Sequence, residues 1–380
     1  MNTDEFINIT KQFSSDFFLH YCVVNGSIMK LDEVQAMGLN EFNYRSKISV
    51  PLKLYRYFPN QEKSDSHGVT VNYSLQALVN NTVYLQSPTE YDDVYDSDIT
   101  IDFQEYSKLR LIEYCSRCGI DVTVDMQTQE IGNALIAVLW ERLNQNKSID
   151  GAFTRIPDSE LEDLANKLFC NRILVELTKT NNLSTAIANA LACEYSEYSS
   201  RLKALFRTTC FATTPFSQLM WGGAYADCHR GFCLEYTVLP YESEYRDLFF
   251  NLFPMIYCKV RPNMTERITA AKDKILTTDD LWDIYFHGAL RKSIDWAFQN
   301  EWRLLLPLKK EDPADYNLKF YPISKVFLGN RMPANKRKVI IDICKEKGIP
   351  YIGVKRNPTV FEMQECEVLC ENCPQYMVNT

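Results

Sequence analysis

The sequence predicts an α+β fold: a mixed or antiparallel central sheet assembled from N- and C-terminal segments, with a largely helical insertion between them. Three observations carry this. Runs in which apolar residues alternate with polar ones cluster at 50–103 and again at 208–358, which is strand patterning. The stretch between them, 104–207, sets its apolar residues at helical spacing. No internal repeat or low-complexity linker divides the chain, so distant strands have to complete one sheet.

Residues 1–49 read as an N-terminal helical extension of one or two short helices. In the first part of the core, Pro51 to Phe58 alternates like a strand. Val71 to Asn80 fits a short helix, and Thr82 to Gln86 is a second strand stopped by the turn pair Ser87-Pro88. In the insertion, Glu105–Cys118, Gln129–Leu143, Ser159–Thr178 and Ser184–Phe206 read as helices, the third opened by an acidic start from Asp158. Strands return at Thr209–Ala212, Gly231–Thr237 and Met255–Val260. Two helices are expected over 264–276 and 279–299, then strands at Glu301–Leu308, Asn317–Tyr321 and Lys325–Leu328. A helix from Ala334 to Lys347 and a strand Tyr351–Val354 close the core. Residues 359–380 form a cysteine-containing tail.

The chain has 380 residues, 46% of them hydrophobic, which is enough to bury a large core in one or two domains. A net charge of −8 argues against general nucleic-acid affinity, so nucleic acid enters only as an acceptor. There is no apolar run of about 18 residues, so no membrane partner is expected. The acidic start Met1-Asn2-Thr3-Asp4-Glu5 lacks the layout of a signal peptide. With thirteen cysteines and no export signal, the expected place is the cytoplasm and the expected state reduced thiol. Cys115 and Cys118, with Cys366, Cys370 and Cys373, have spacings a metal could use. They read as scattered free thiols, and no metal site is expected.

Four stretches carry the candidate chemistry. In the first strand Leu52, Leu54, Arg56 and Phe58 share one face, and Lys53, Tyr55 and Tyr57 the other. Arg56 thus sits on the more apolar face, where a guanidinium needs an anion from the protein or from a ligand. The competing explanation is that the aromatic face is inward and Arg56 is solvated or structurally paired. Near the C-terminus, Glu301 and Arg303 share a strand face beside the core. Either they belong to a structural network, or Glu301 is a site carboxylate held by arginine.

The third stretch, Cys210 to Phe232, is the most distinctive. A strand ends at Thr213-Thr214-Pro215, then Ser217 is placed to cap a short helical segment in which Trp221 and Tyr225 would share a face. His229 and Arg230 follow in a turn at the mouth of the sheet, where polar residues suit a ligand. Aromatic packing with a solvated turn is the bland alternative. The fourth stretch places Ser87, Glu90, Asp92 and Asp93 just past a strand, and such acids are usually solvated.

Taken in order, these stretches resemble an uncharacterised bacterial family known only as a domain of unknown function. The resemblance rests on Leu54-Tyr55-Arg56-Tyr57, on Ser87-Pro88 with Asp92-Asp93, on the Cys210–Phe232 block with Met220-Trp221 and Tyr225-Ala226-Asp227, and on Trp296 to Arg303. It covers 50–103 and 208–330 and omits the helical middle. Gly222-Gly223 stands where the family usually carries Ser/Asn-His, so any role of that histidine is absent.

The order of arginine, serine or threonine, and glutamate on successive strands is also similar to that of ADP-ribosyltransferases. That similarity implies Arg56, with Tyr57, as the anchor of NAD phosphate or ribose, and Thr213 or Ser217 as the brace of the nicotinamide half. It implies Glu301 as the catalytic acid, with Trp221, Tyr225, His229 and Arg303 around the bound NAD.

Three readings stay open. The first is an NAD-consuming transferase or glycohydrolase acting as a toxin or phage-defence effector, with NAD as substrate. The second is a non-catalytic module that binds a nucleotide-type small molecule, or a protein partner through the helical middle. The third is a metal-dependent nuclease using Asp92, Asp93 and Glu301.

Overall fold

The structure is a computed structural model that describes residues 21–24, 27–48, 50–64, 67–145, 161–204, 206–267, 287–307 and 316–366. The chain forms two compact units. One comprises 1–97, 204–260 and 289–380; the other comprises 98–203 and 261–288. The break thus falls at Asp98 and Lys203 rather than at 104 and 207, and a later segment returns to the helical unit.

The first unit is built on an eight-stranded sheet. In chain order its strands are β1 (Lys53–Phe58), β2 (Phe206–Ala212), β3 (Phe232–Thr237), β4 (Leu252–Pro254), β5 (Glu301–Pro307), β6 (Ile323–Leu328), β7 (Tyr351–Arg356) and β8 (Met363–Glu365). They lie in the order β8-β7-β6-β3-β1-β2-β5-β4. Within this sheet only β6 and β7 pair in parallel, and the helix between them, α5 (Ala334–Lys347), makes that crossover. The fold is α+β with a mixed, mostly antiparallel sheet, and its strands come from both sides of the helical middle.

Alternation sorts the two faces. Leu54, Phe211, Phe232, Leu234, Tyr236, Trp302 and Leu304 are buried in one cluster with Leu78, Phe320 and Ile340. Tyr57, Ala212, Cys233 and Phe327 are buried on the other face with Met220 and Trp221. Burying both faces is what makes the central strands apolar almost throughout.

The second unit contains α1 (Phe103–Arg117), α2 (Thr128–Gln145), α3 (Leu161–Thr180) and α4 (Leu183–Ala204), each within two residues or so of its predicted span. Asp102 caps α1 through the backbone N–H groups of Gln104 and Glu105. Its apolar core joins Leu111, Ile131, Leu135, Ile173, Ile187 and Leu191. No described helix in either unit is long and apolar enough to cross a membrane.

Three local expectations need correction. The N-terminal region is not wholly helical: Tyr21–Val24 and Ser27–Lys30 form a hairpin before the helices Leu31–Ala36 and Leu39–Ile48. The helix expected over 279–299 ends differently. Arg291–Ser293 is a strand paired in parallel with Ile256–Cys258, and Ile294–Gln299 is a 3-10 turn. The rest of the predicted 264–276 and 279–299 spans lies largely outside the described residues, as do Cys370 and Cys373. Trp221 and Tyr225 do not share a helix, because the helical segment Gln218–Gly222 stops first and Tyr225 sits in a separate turn, Ala224–Ala226.

Candidate functional site

Glu301 and Arg303 open β5, and register decides what surrounds them. Glu301 pairs with Ala212 and Arg303 with Cys210, so both side chains stand on one face of the sheet. Lys292 arrives on the short strand Arg291–Ser293, beside Tyr257. Asp96 arrives on the loop after Pro88–Glu90, where Ser97 takes a left-handed turn. All four charged groups are buried, Arg303 completely.

Their hydrogen bonding is closed. Arg303 donates Nε–H to Glu301 Oε1 at 3.0 Å and Nη2–H to the same oxygen at 2.8 Å. Its Nη1 serves Asp96 Oδ1, Ser97 Oγ and the Ala289 carbonyl at 2.8–2.9 Å, and Nη2 reaches Asp96 Oδ2 at 3.0 Å. Lys292 Nζ spends its three protons on Gln299 Oε1 (2.9 Å), Asp96 Oδ2 (3.0 Å) and Glu301 Oε2 (3.1 Å). Two acids thus face two bases, and every N–H of the bases has an acceptor, the condition under which a buried ion cluster is tolerated.

Electrostatics agree with that picture. Burial pushes the Asp96 and Glu301 carboxyls up, but Arg303 and Lys292 outweigh it and hold both below the usual carboxylate range. Burial would lower Lys292, and Glu301 with Asp96 reverses this and raises it. The tetrad is therefore ionised and neutral overall.

Aromatic residues rim the tetrad. The Arg303 guanidinium lies 5.4 Å from the Tyr91 ring centroid and the Lys292 ammonium 5.3 Å from that of Trp296. Tyr257 Oη accepts the Glu301 backbone N–H (2.8 Å) and Tyr225 Oη accepts Gln299 Nε2–H (2.6 Å). Tyr91, Cys210, Tyr225, Tyr257 and Trp296 all retain accessible surface. Sequence reasoning found Glu301 and Arg303 but missed Asp96, Lys292, Gln299 and Tyr257. Paired opposite charges on β5 were the one usable signal that further partners had to exist. The flagged acids Glu90, Asp92 and Asp93 are not in the tetrad; Asp93 instead accepts the Tyr95 N–H.

Arg56 stands elsewhere. It pairs with Leu234, alternates with Tyr55, which is opposite Ala212, and so leaves the sheet on the face away from Glu301. The expected single pocket around both residues is corrected on this point, for the plain reason that side chains alternate along a strand. Arg56 Nη1 contacts Thr209 Oγ1 and the Tyr84 carbonyl. Burial lowers its pKa, and the groups acting on its charge are Tyr236, Cys210 and Tyr91. Burial also raises the pKa of each of these, Cys210 to about 12, so all three are neutral at pH 7. Among the described residues, no carboxylate compensates Arg56. The nearby Tyr236 hydroxyl is buried and has no hydrogen-bond partner among the described residues.

The remaining candidates divide. Trp221 is wholly inside, its indole N–H donating to the Pro215 carbonyl at 2.7 Å and its ring meeting Tyr57 edge-on at 5.3 Å. Tyr57 is buried as well and donates to the Thr214 carbonyl. Both are packing residues here, and neither presents itself to a ligand. Ser217 caps Gln218–Gly222 through the Met220 N–H. Thr213 Oγ1 accepts from Asn300 Nδ2 at 2.5 Å, at the surface end of β2 and β5. His229 is half-buried, and its ring lies parallel to Trp221 with centroids 6.4 Å apart. Cys115 is buried and bonded to the Ile131 carbonyl. No group of three or more metal-ligating side chains occurs among the described residues.

A family model described as "Protein of unknown function (DUF2971)" matches residues 220–304. That stretch is similar to an uncharacterised domain family. It runs from Trp221 and His229 through Lys292, Gln299 and Glu301 to Arg303, and leaves Asp96, Arg56 and Thr213 outside it. Neither the curated proteins nor the solved structures yielded a match.

Proposed function

We propose that the sheet-bearing unit binds a phosphate-bearing small molecule of nucleotide type, with Arg56 as its anion anchor. The single observation that carries this is the uncompensated Arg56 charge. A guanidinium that is partly desolvated and meets a threonine hydroxyl, a backbone carbonyl and the Phe58 ring, but no carboxylate among the described residues, gains most from an incoming anion. Thr209 fixes the guanidinium from one side. Titration of the full chain with mono-, di- and trinucleotides, read as thermal stabilisation, tests the reading. Arg56→Ala should weaken the shift, and a shift left unchanged by this substitution removes Arg56 from the site.

A second reading, NAD consumption, is favoured by one specific feature. Arg56 on β1, Thr213 at the end of β2 and Glu301 at the start of β5 lie on three neighbouring strands in that order. Against it stands the commitment of both Glu301 oxygens to Arg303 and Lys292, which leaves little capacity for a ribose hydroxyl. Release of nicotinamide from NAD, lost in Glu301→Gln at a temperature where that variant is folded, would establish turnover. Stabilisation by NAD without release leaves binding alone.

A further inference from the structure

The turn between Ala226 and β3 carries a run of left-handed backbone. Asp227, Cys228 and His229 are three consecutive left-handed residues, none of them glycine. Such backbone persists only where its surroundings hold it. A Cβ on Gly231 would lie 2.0 Å from the Phe58 carbonyl oxygen, and one on Gly329 would lie 2.2 Å from that of His229. The Arg331 N–H also donates to the His229 carbonyl at 3.0 Å. Three strand ends are thereby locked together: the exit of β1, the entry of β3 and the exit of β6.

Polar groups without partners gather at this junction. His229 Nδ1 is buried and makes no hydrogen bond among the described residues. Asn60, 2% exposed, has its Oδ1 taken by Asn72, while its Nδ2 donates to nothing among the described residues. Its carbonyl accepts from Lys336 Nζ at 2.9 Å, which brings the first turn of α5 to the same place. That fourteen-residue helix has no side-chain cap and no acid in its first turn, so its N-terminal N–H groups add to the positive field.

Charge counting is decisive. Arg230 holds Asp227 in a bidentate pair at 2.8 and 3.0 Å, and those two cancel. Arg331, whose charge lowers the His229 pKa after burial does, forms no salt bridge among the described residues, and neither does Lys336, although its charge also acts on Asp227. In a chain of net charge −8, this is a local surplus of two positive charges beside the unpaired Asn60 amide N–H.

We propose that this junction binds the dianionic phosphate group of a small phosphate monoester, held by Arg331, Lys336, the amide of Asn60 and the open end of α5. Oriented backbone dipoles with a guanidinium and an ammonium are the usual donors for such a group. The site is independent of Arg56.

The test uses the full chain with inorganic phosphate and phenyl phosphate as probes, read by thermal shift and by the ring resonances of His229. Both probes should stabilise the protein, phenyl phosphate at least as well, and shift the His229 signals. Arg331→Ala and Lys336→Gln, both surface changes, should each weaken the binding read at the His229 resonances about ten-fold. Three results would overturn the proposal: no response to either probe, equal responses in the parent and both variants, or a response lost only with Arg56→Ala. The last would assign the phosphate to the other site.

Discussion

Arg303 and Arg56 sit on strands of the same sheet, two positions apart in its strand order, yet their surroundings differ in kind. Arg303 is wholly buried and meets two carboxylates, a hydroxyl and a carbonyl, with Lys292 completing a neutral tetrad. Arg56 keeps accessible surface and meets a threonine, a carbonyl and neutral phenols. A buried cation that has spent all its donors is a structural pin. One that has not is where a ligand gains binding energy. The residue type is the same, and the partner list separates the roles.

The largest expected effect comes from breaking the pin. Arg303→Met leaves Asp96 and Glu301 buried with Lys292 alone, and should cost about 3–5 kcal/mol in urea unfolding. A loss below about 1 kcal/mol would mean the tetrad does not hold β5, β2 and the Asp96 loop together.

Acid should act on the same region. Both carboxylates are depressed in the folded state, so their contribution is complete above the unfolded value of about 4 and is lost as pH falls through the folded values. Stability should stay level between about pH 7 and 5 and fall below about 4. The gap between the parent and Arg303→Met should narrow over that fall. A parallel fall in both proteins would place the acid sensitivity elsewhere.

Arg56→Met sharpens the contrast from the other side. Removing an uncompensated charge should change stability by less than about 1 kcal/mol, in either direction, while nucleotide binding falls about ten-fold or more. A destabilisation as large as that of Arg303→Met would show that Arg56 has a structural partner. The smallest effect is expected at Ser217→Ala, which removes one helix cap bonded at 3.4 Å and should cost about 0.5–1 kcal/mol with binding unchanged.

Much of the fold was legible because it is local. The alternation from Lys53 to Phe58, the helix Ala334–Lys347 and the helical spacing of 104–207 are properties of short windows of sequence. The misread end of the helix expected over 279–299 is the instructive failure. Arg291–Ser293 is a strand of three residues, too short to show a period, and its identity comes from pairing with Ile256–Cys258.

The site followed the same division. Alternation alone showed that Glu301 and Arg303 share a face and that such a pair needs partners, and composition alone excluded a strongly basic chain. Asp96, Lys292 and Gln299 carry no sequence mark of belonging with them, because loop geometry and strand pairing bring them together across up to about two hundred residues of chain. The face of Arg56 was legible too, but its separation from Glu301 depended on which residue of β1 stands opposite Ala212. A one-residue slip there would have put both side chains in one pocket. The sequence by itself determined which residues share a strand face and which charges need neutralising. Only the tertiary structure decided which partners neutralise them, since register and loop closure are properties of the whole sheet.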